Sequence, residues 1–293
     1  MSAEMDGLEK KTLVLGSTRC GDTEFRWGER TYVMGVINLS PDSFSGDGLG
    51  GDIEAIVAQA RRFVNEGADI IDIGGESTRP GTEPLPIDDV EEELRLVVPA
   101  IERLASELPV PLSIDTYKPA VAGRAVKAGA AMINDIWGLK RDPRLAQVAA
   151  GTGVPIVLMS NQRDAPCSDI IPEVISSLGR SISIAMDADV AWENIIIDPG
   201  IGFGKSVAQN LEIIQRLAEL MSLGRPTLLG TSRKSMIGHV LDLPVDQRLE
   251  GTAATVAIGI ANGADVVRVH DVKQMVRVCR MSDAIIQRRT TGD

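Results

Sequence analysis

Short apolar runs alternate with amphipathic segments along almost the whole chain. The runs are YVMGVIN (32–38), DIIDIGG (69–75), PLSID (111–115), AMIND (131–135), PIVLM (155–159), NIIID (194–198), PTLLG (226–230) and DVVRV (265–269). Each has the length of a strand and is apolar on both alternating faces, the pattern of parallel strands covered on each side. Between them, apolar residues recur at spacings of three and four. Ile53, Ile56, Val57, Ala60, Phe63 and Val64 do so after Asp52, a good N-cap, and Val90, Leu94, Val97, Ile101 and Leu104 repeat the pattern. Further helices are expected at 119–128, 142–150, 169–187, 206–222, 246–262 and 271–288. Gly67, Gly129 and Gly263 each stand just before a strand, where a helix C-cap enters a short loop.

Eight strands, each followed by a helix, predict an α/β fold: a single closed (β/α)8 TIM barrel, with an open doubly wound sheet as the alternative. Such a barrel takes roughly 250 residues, so it nearly fills a chain of 293. The opening residues stand outside the alternation. KTLVLG (11–16) and EFRWGERTYV (24–33) are expected to pair as a hairpin under the barrel, with residues 1–10 disordered. The expected division is an N-terminal extension, 1–25, and a barrel domain, 26–293.

Composition narrows the partners. The chain is 44% hydrophobic and 24% charged, an ordinary balance for a globular protein. A net charge of −11 argues against a partner made of nucleic acid or anionic lipid. An anionic substrate therefore needs a local cluster of cations. Cys20, Cys167 and Cys279 match no metal-ligand spacing and read as incidental reduced thiols. The opening MSAEMDGLEKK has no apolar core, and the uncharged stretch 251–264 is too short to span a bilayer. A cytoplasmic protein is expected.

In a barrel of this kind, chemistry gathers where strands end. Asn38 ends the first run, Asp115 the third, Asn134 and Asp135 the fourth, and Asp198 the sixth. Ser232, Arg233 and Lys234 follow the seventh, while Arg268 and His270 end the eighth. Asp115, Asn134, Asp198 and Lys234 suit a flat heterocycle with donors and acceptors round its edge. Asn38, Arg268 and His270, with Thr78 and Arg79, suit an anion such as pyrophosphate, and Asn38 can ligate Mg2+. Plain structural readings stand beside these: Asp72 and Asp135 as inner-rim hydrogen-bond partners, Asp198 as a turn former before Pro199-Gly200, and His239 as a solvated helix residue.

The ordered segments MGVINLSPDSFSGDG (34–48), GADIIDIGGESTRPG (67–81), SIDTYKP (113–119), INDIWG (133–138), DPGIGFGK (198–205), TSRKSMIG (231–238) and VRVHDV (267–272) resemble the signatures of the dihydropteroate synthases, over roughly residues 26–288. The resemblance implies a transferase of folate biosynthesis. It would condense 6-hydroxymethyl-7,8-dihydropterin pyrophosphate with p-aminobenzoate, with Mg2+ as cofactor and a homodimer as the assembly. It implies a pterin pocket of Asp115, Asn134, Met159, Asp198, Gly230 and Lys234, with pyrophosphate at Asn38, Thr78, Arg79, Arg268 and His270. Asp42, Phe44, Thr78, Arg79 and Pro80 would fold over the site, and Phe203, Ser232 and Ser235 would receive p-aminobenzoate. Asp115, Lys234, Arg268 and His270 would carry the chemistry, with no Ser or Cys nucleophile.

The chain departs from that pattern in two loops. Ser40 replaces the usual Thr, before a longer glycine-rich stretch (45–51); after the fifth run, Met159-Ser160-Asn161-Gln162-Arg163-Asp164 lacks the usual His. The second departure resembles sulfonamide-insensitive synthases and raises the expectation of altered drug response. The alternatives are a methyltetrahydrofolate:corrinoid methyltransferase on a related barrel and a non-catalytic pterin-binding protein.

Overall fold

A computed structural model of the chain describes residues 15–40, 52–76, 86–163 and 168–288. The eight expected runs form the parallel strands β3 (Tyr32–Asn38), β4 (Ile70–Gly74), β5 (Leu112–Asp115), β6 (Met132–Asp135), β7 (Ile156–Met159), β8 (Ile195–Asp198), β9 (Leu228–Leu229) and β10 (Val266–Val269). They lie in the order β8-β7-β6-β5-β4-β3-β10-β9. A parallel bridge between Ile197 and Thr227 joins the two ends, so the sheet closes as a barrel and the open-sheet alternative falls.

Helices α1 (Ile53–Glu66), α2 (Glu91–Ala105), α3 (Pro119–Ala128), α4 (Arg144–Thr152), α5 (Ile170–Asp187), α6 (Val207–Gln215), α7 (Ser235–Leu241), α8 (Leu249–Ala261) and α9 (Val272–Ile285) cover its outside. Asp52 caps α1 through hydrogen bonds from the amides of Glu54 and Ala55, while Gly67 and Gly129 end α1 and α3 in the left-handed conformation. The main core lies between barrel and helices; Ile71, Ile73, Ile114, Ile133 and Leu158 face Val57, Phe63, Val97, Val121 and Leu178 there. A side chain at Gly35 would begin 2.8 Å from Phe63, so the glycine lets α1 approach β3 closely.

Three expectations shift in detail. The helix expected over 206–222 divides into α6 and a 3-10 turn at Leu217–Leu223, with Asn262 donating to the carbonyls of Ile214 and Gln215 at the break. The seventh run keeps only two ladder residues; just before them the Thr227 amide donates to the Asp265 carboxylate. The hairpin consists of β1 (Ser17–Cys20) and β2 (Thr23–Arg26) rather than KTLVLG with 24–33. Its turn is Gly21-Asp22 with Gly21 at φ +58°, a two-residue connection that Gly at the first position favours. Lys11–Val14 and residues 1–10 lie outside the described residues.

The hairpin has a packing role. Cys20, Phe25 and Trp27 join Tyr32, Met34, Ile70, Met132, Val157, Ile196, Leu228 and Val266 in a second apolar cluster. Those strand residues form the lower interior of the barrel, and the hairpin stoppers it. Trp27 donates from its indole to Thr18 Oγ1 at 2.9 Å, so the buried polar edge is satisfied. The upper interior is left for polar groups.

Candidate active site

Polar side chains replace apolar ones at the carboxyl ends of the strands. Asn38, Gly74, Asp115 and Asn134 lie on one rung of paired residues across β3, β4, β5 and β6. Met159 and Asp198 are paired on β7 and β8. With Gly230, Ser232, Lys234 and Ser235 after β9, and Arg268 and His270 at β10, they line one cavity. Val36, Ile136, Ile201 and Phe203 supply its apolar walls. Every described residue assigned to the site from sequence therefore meets at one rim. Asp42, Phe44, Thr78, Arg79 and Pro80 lie outside the described residues, as do 45–51 and Cys167.

The floor is a charged network. Arg268 donates from Nε to Asp72 Oδ2 at 2.6 Å and from Nη2 to Asp115 Oδ2 at 2.7 Å. Asn134 Nδ2 reaches the same Asp72 oxygen at 3.2 Å. Asp72, buried inside the barrel, thus holds one residue on each side of the site. Burial pushes the Asp115 carboxyl up to about 7; Arg268 works against that rise and Asp72 adds to it. Burial disfavours charge on Arg268, but Asp72 and Asp115 more than offset it and keep the guanidinium ionised. Burial, then Arg268, pushes Lys234 down to about 8.

Asp198 serves two purposes at once. Its Oδ1 accepts from the Gly200 amide at 2.7 Å, fixing the turn through Pro199. Its burial raises the carboxyl pKa, and the Gly200 amide and Lys234 oppose the rise. Asp135 is a turn residue: its carboxylate accepts from the amides of Trp137 and Leu139 at 2.8 and 2.6 Å. His239 is exposed on α7. Ser232 Oγ lies 3.0 Å from His270 Nδ1 and accepts from the His270 amide, so it orients the ring. Burial, then Arg268 and Arg233, lowers the His270 pKa to about 3, which makes its imidazole a neutral hydrogen-bonding group. Arg233 forms a two-point ion pair with Asp271 and ties the last two loops together.

Asp72 is the inner-rim hydrogen-bond partner that the sequence suggests, and its hold on Arg268 and Asn134 makes it part of the floor of the site. The packing of the wall formed by residues 160–163, a departure from the family pattern in sequence, has no such signal. Ser160, Asn161 and Gln162 are almost fully buried, and Lys205 Nζ donates to the carbonyls of Ser160, Gly200 and Phe203. Nothing in the local sequence announced that clamp.

Asn38 also bears on a metal. Its carboxamide lines the cavity beside Arg268 and His270, and no described hydrogen bond engages it. Among the described residues no cluster of three His, Cys, Asp or Glu could hold an ion. One neutral oxygen beside an anion site fits Mg2+, which takes few protein oxygens and fills its shell with phosphate and water.

Comparison with known proteins agrees with this geometry. A family model described as pterin binding enzyme matches residues 34–270. The dihydropteroate synthase of Bacillus subtilis is 52% identical over 260 residues, covering 89% of this chain and 90% of that protein. The structure of a Clostridium difficile dihydropteroate synthase in the presence of pteroic acid superposes with a TM-score of 0.84 at 48% identity, covering 89% of this chain and 98% of that one. A Xanthomonas albilineans dihydropteroate synthase with 4-aminobenzoic acid gives a TM-score of 0.85 at 41% identity, covering 92% and 98%.

Proposed function

The chain belongs to the dihydropteroate synthases, within the pterin-binding enzymes, and we propose that it joins 6-hydroxymethyl-7,8-dihydropterin pyrophosphate to p-aminobenzoate through the rim residues described above. The observation that carries this is the convergence of Asp115, Asn134, Asp198, Lys234, Arg268 and His270 on one cavity, from strands far apart in sequence. Asp115, the free oxygen of Asp198, Asn134 and Lys234 would meet the edge of the pterin. Met159, Ile136 and Gly230 offer surfaces for its faces.

Asn38, Arg268 and His270 would take the pyrophosphate, with Thr78 and Arg79 from the second loop. Asn38 would hold Mg2+, which supplies charge neutralisation to a phosphate oxygen. In the reaction the bond between the exocyclic CH2 and the pyrophosphate oxygen breaks, and its electron pair leaves with the pyrophosphate. The arylamine nitrogen then forms the new C–N bond and releases a proton. Arg268 contributes full charge to the leaving group, whereas neutral His270 contributes a hydrogen bond. Ionised Asp115 would stabilise positive charge developing on the pterin. Phe44, Pro80, Phe203, Ser232 and Ser235 would receive the p-aminobenzoate. The test is a coupled assay: enzyme, both substrates and Mg2+ should yield dihydropteroate and pyrophosphate in equal amounts, and Arg268→Ala or Lys234→Ala should sharply lower the yield. Full turnover in those variants would overturn the assigned roles.

We also propose a homodimer through the late helices. Leu211 on α6, Val240 and Leu241 on α7, Ile258 on α8, and Met281 and Ile285 on α9 are exposed apolar side chains. Sedimentation should give twice the chain mass, and Ile258→Glu should shift the enzyme toward the monomer. No described helix is long and apolar enough to cross a membrane. The buried free thiols of Cys20 and Cys279 support a cytoplasmic setting. The altered 160–163 wall supports weakened inhibition by sulfonamides; inhibition by sulfamethoxazole near the concentration of the competing p-aminobenzoate would oppose that reading.

A further inference from the structure

Two cations converge on one aromatic ring inside the cavity. The Arg163 guanidinium carbon lies 4.8 Å from the Phe203 ring centroid, and Lys234 Nζ lies 4.4 Å from it. All three side chains line the cavity. Each cation is attracted to the face of the ring, but the two charges also repel one another. That repulsion is visible at Lys234, whose pKa is lowered by burial first, then by Arg268, with Arg163 a further contributor.

Arg163 is fixed from its backbone although it sits in a loop. Its amide donates to Asn161 Oδ1 at 3.1 Å, and Asn161 Nδ2 donates to the Ile136 carbonyl at 3.0 Å. The Gln162 amide donates to the Phe203 carbonyl at 3.2 Å, and the Ser160 amide to the Asp198 carbonyl at 2.9 Å. Gly204, at φ +68°, lies so close that a Cβ there would fall 2.3 Å from the Arg163 amide nitrogen. A wall built this tightly fixes the point from which the Arg163 side chain reaches the Phe203 ring.

An electropositive pair on an apolar ring suits a ligand that is both aromatic and anionic. We propose that Arg163 is a specificity-determining residue: with Lys234 it makes the Phe203 wall select an arylamine that carries a carboxylate over a neutral arylamine of the same shape. The inference rests on the reading that p-aminobenzoate is the second substrate and adds to it a residue and a rule of selection. A bound carboxylate relieves the repulsion between the two cations, which an uncharged ligand cannot do.

The test compares Arg163→Gln and Arg163→Lys with the parent enzyme. For each, KM is measured for p-aminobenzoate and for the pterin pyrophosphate, and the inhibition constant for 4-aminobenzamide, the neutral counterpart. Loss of one charge-assisted contact predicts a p-aminobenzoate KM raised roughly tenfold in Arg163→Gln. The other two constants should move less than about twofold, and Arg163→Lys should recover much of the loss. An unchanged p-aminobenzoate KM, an equal shift for the amide, or a shift falling on the pterin pyrophosphate would each overturn the inference. Failure of the parent enzyme to form dihydropteroate would instead strike the underlying reading of the reaction.

Discussion

Arg268 donates to Asp115 at 2.7 Å, reaching from β10 to β5 past the two intervening strands β3 and β4. The contact pairs a guanidinium assigned to an anion with a carboxylate assigned to the pterin. It therefore couples the two halves of the site, and pterin binding has to compete with it for Asp115.

A pH optimum for pterin binding follows. Burial holds Asp115 up to about 7, and burial with Arg268 holds Lys234 down to about 8. The pterin edge needs Asp115 ionised and Lys234 protonated. Affinity for 6-hydroxymethylpterin, measured by titration calorimetry, should peak between those values and fall by up to roughly tenfold per pH unit below the lower one. The ligand-free protein should respond oppositely. A carboxyl whose pKa is raised on folding favours the folded state as pH falls from about 7 toward its unfolded value. Affinity that stays level from pH 5.5 to 7 would contradict the assignment.

Asp72 should matter as much as residues that touch substrate. One of its oxygens accepts from both Arg268 and Asn134. Hydrogen bonds to charged groups are worth about 1.5–3 kcal/mol, so Asp72→Asn should lower kcat/KM by roughly 10–100-fold with the fold intact. Combined with Arg268→Lys, the losses should fall well short of additive, because both act through one contact. Strict additivity in that double-mutant cycle would show that Asp72 acts elsewhere.

The difference between Asp72 and Asp115 shows what the sequence could and could not reveal. Asp115, Asn134 and Asp198 end apolar runs, so strand periodicity alone placed them at the active rim. Asp72 sits in mid-strand, and its partners come from β6 and β10, a pairing set by barrel closure. The hairpin is a second instance. Its existence is legible in the sequence, but the register is fixed by the Gly21-Asp22 turn, a two-residue signal that the longer apolar stretch before it outweighs. The clamp of Lys205 on Ser160 spans 45 residues and has no local signature at all.

The hairpin stopper should be a stability element and nothing more. Phe25 is 1% exposed and packs edge-on against Tyr32, with centroids 4.8 Å apart. Phe25→Ala should cost about 3–5 kcal/mol, the usual range for removing a buried ring, as read by urea denaturation. The folded fraction should keep its turnover, because the cluster lies beneath the polar floor. A large fall in kcat at full folding would place the hairpin in the catalytic machinery.

Lys118 offers the sharpest separation of charge from packing. It is wholly buried, with Nζ at 2.8 Å from Glu76 and 3.0 Å from Glu93, and it also donates to the Asp89 carbonyl at 2.8 Å. Glu76 lines the active cavity, so this ion cluster stands directly behind the site. Removing one partner of a buried pair leaves the others uncompensated, typically at a cost of about 3–5 kcal/mol; Lys118→Met should show that loss at pH 8. Burial raises the Glu93 pKa and Lys118 opposes the rise, so without the lysine the carboxyl should climb further. The variant's deficit should therefore shrink as pH falls toward 5.5 and Glu93 takes up a proton. Adding Glu93→Gln should recover part of the stability at pH 8, a response that simple loss of packing would not give. A deficit that is independent of pH and untouched by the second substitution would mean that Lys118 acts through its hydrocarbon stem alone.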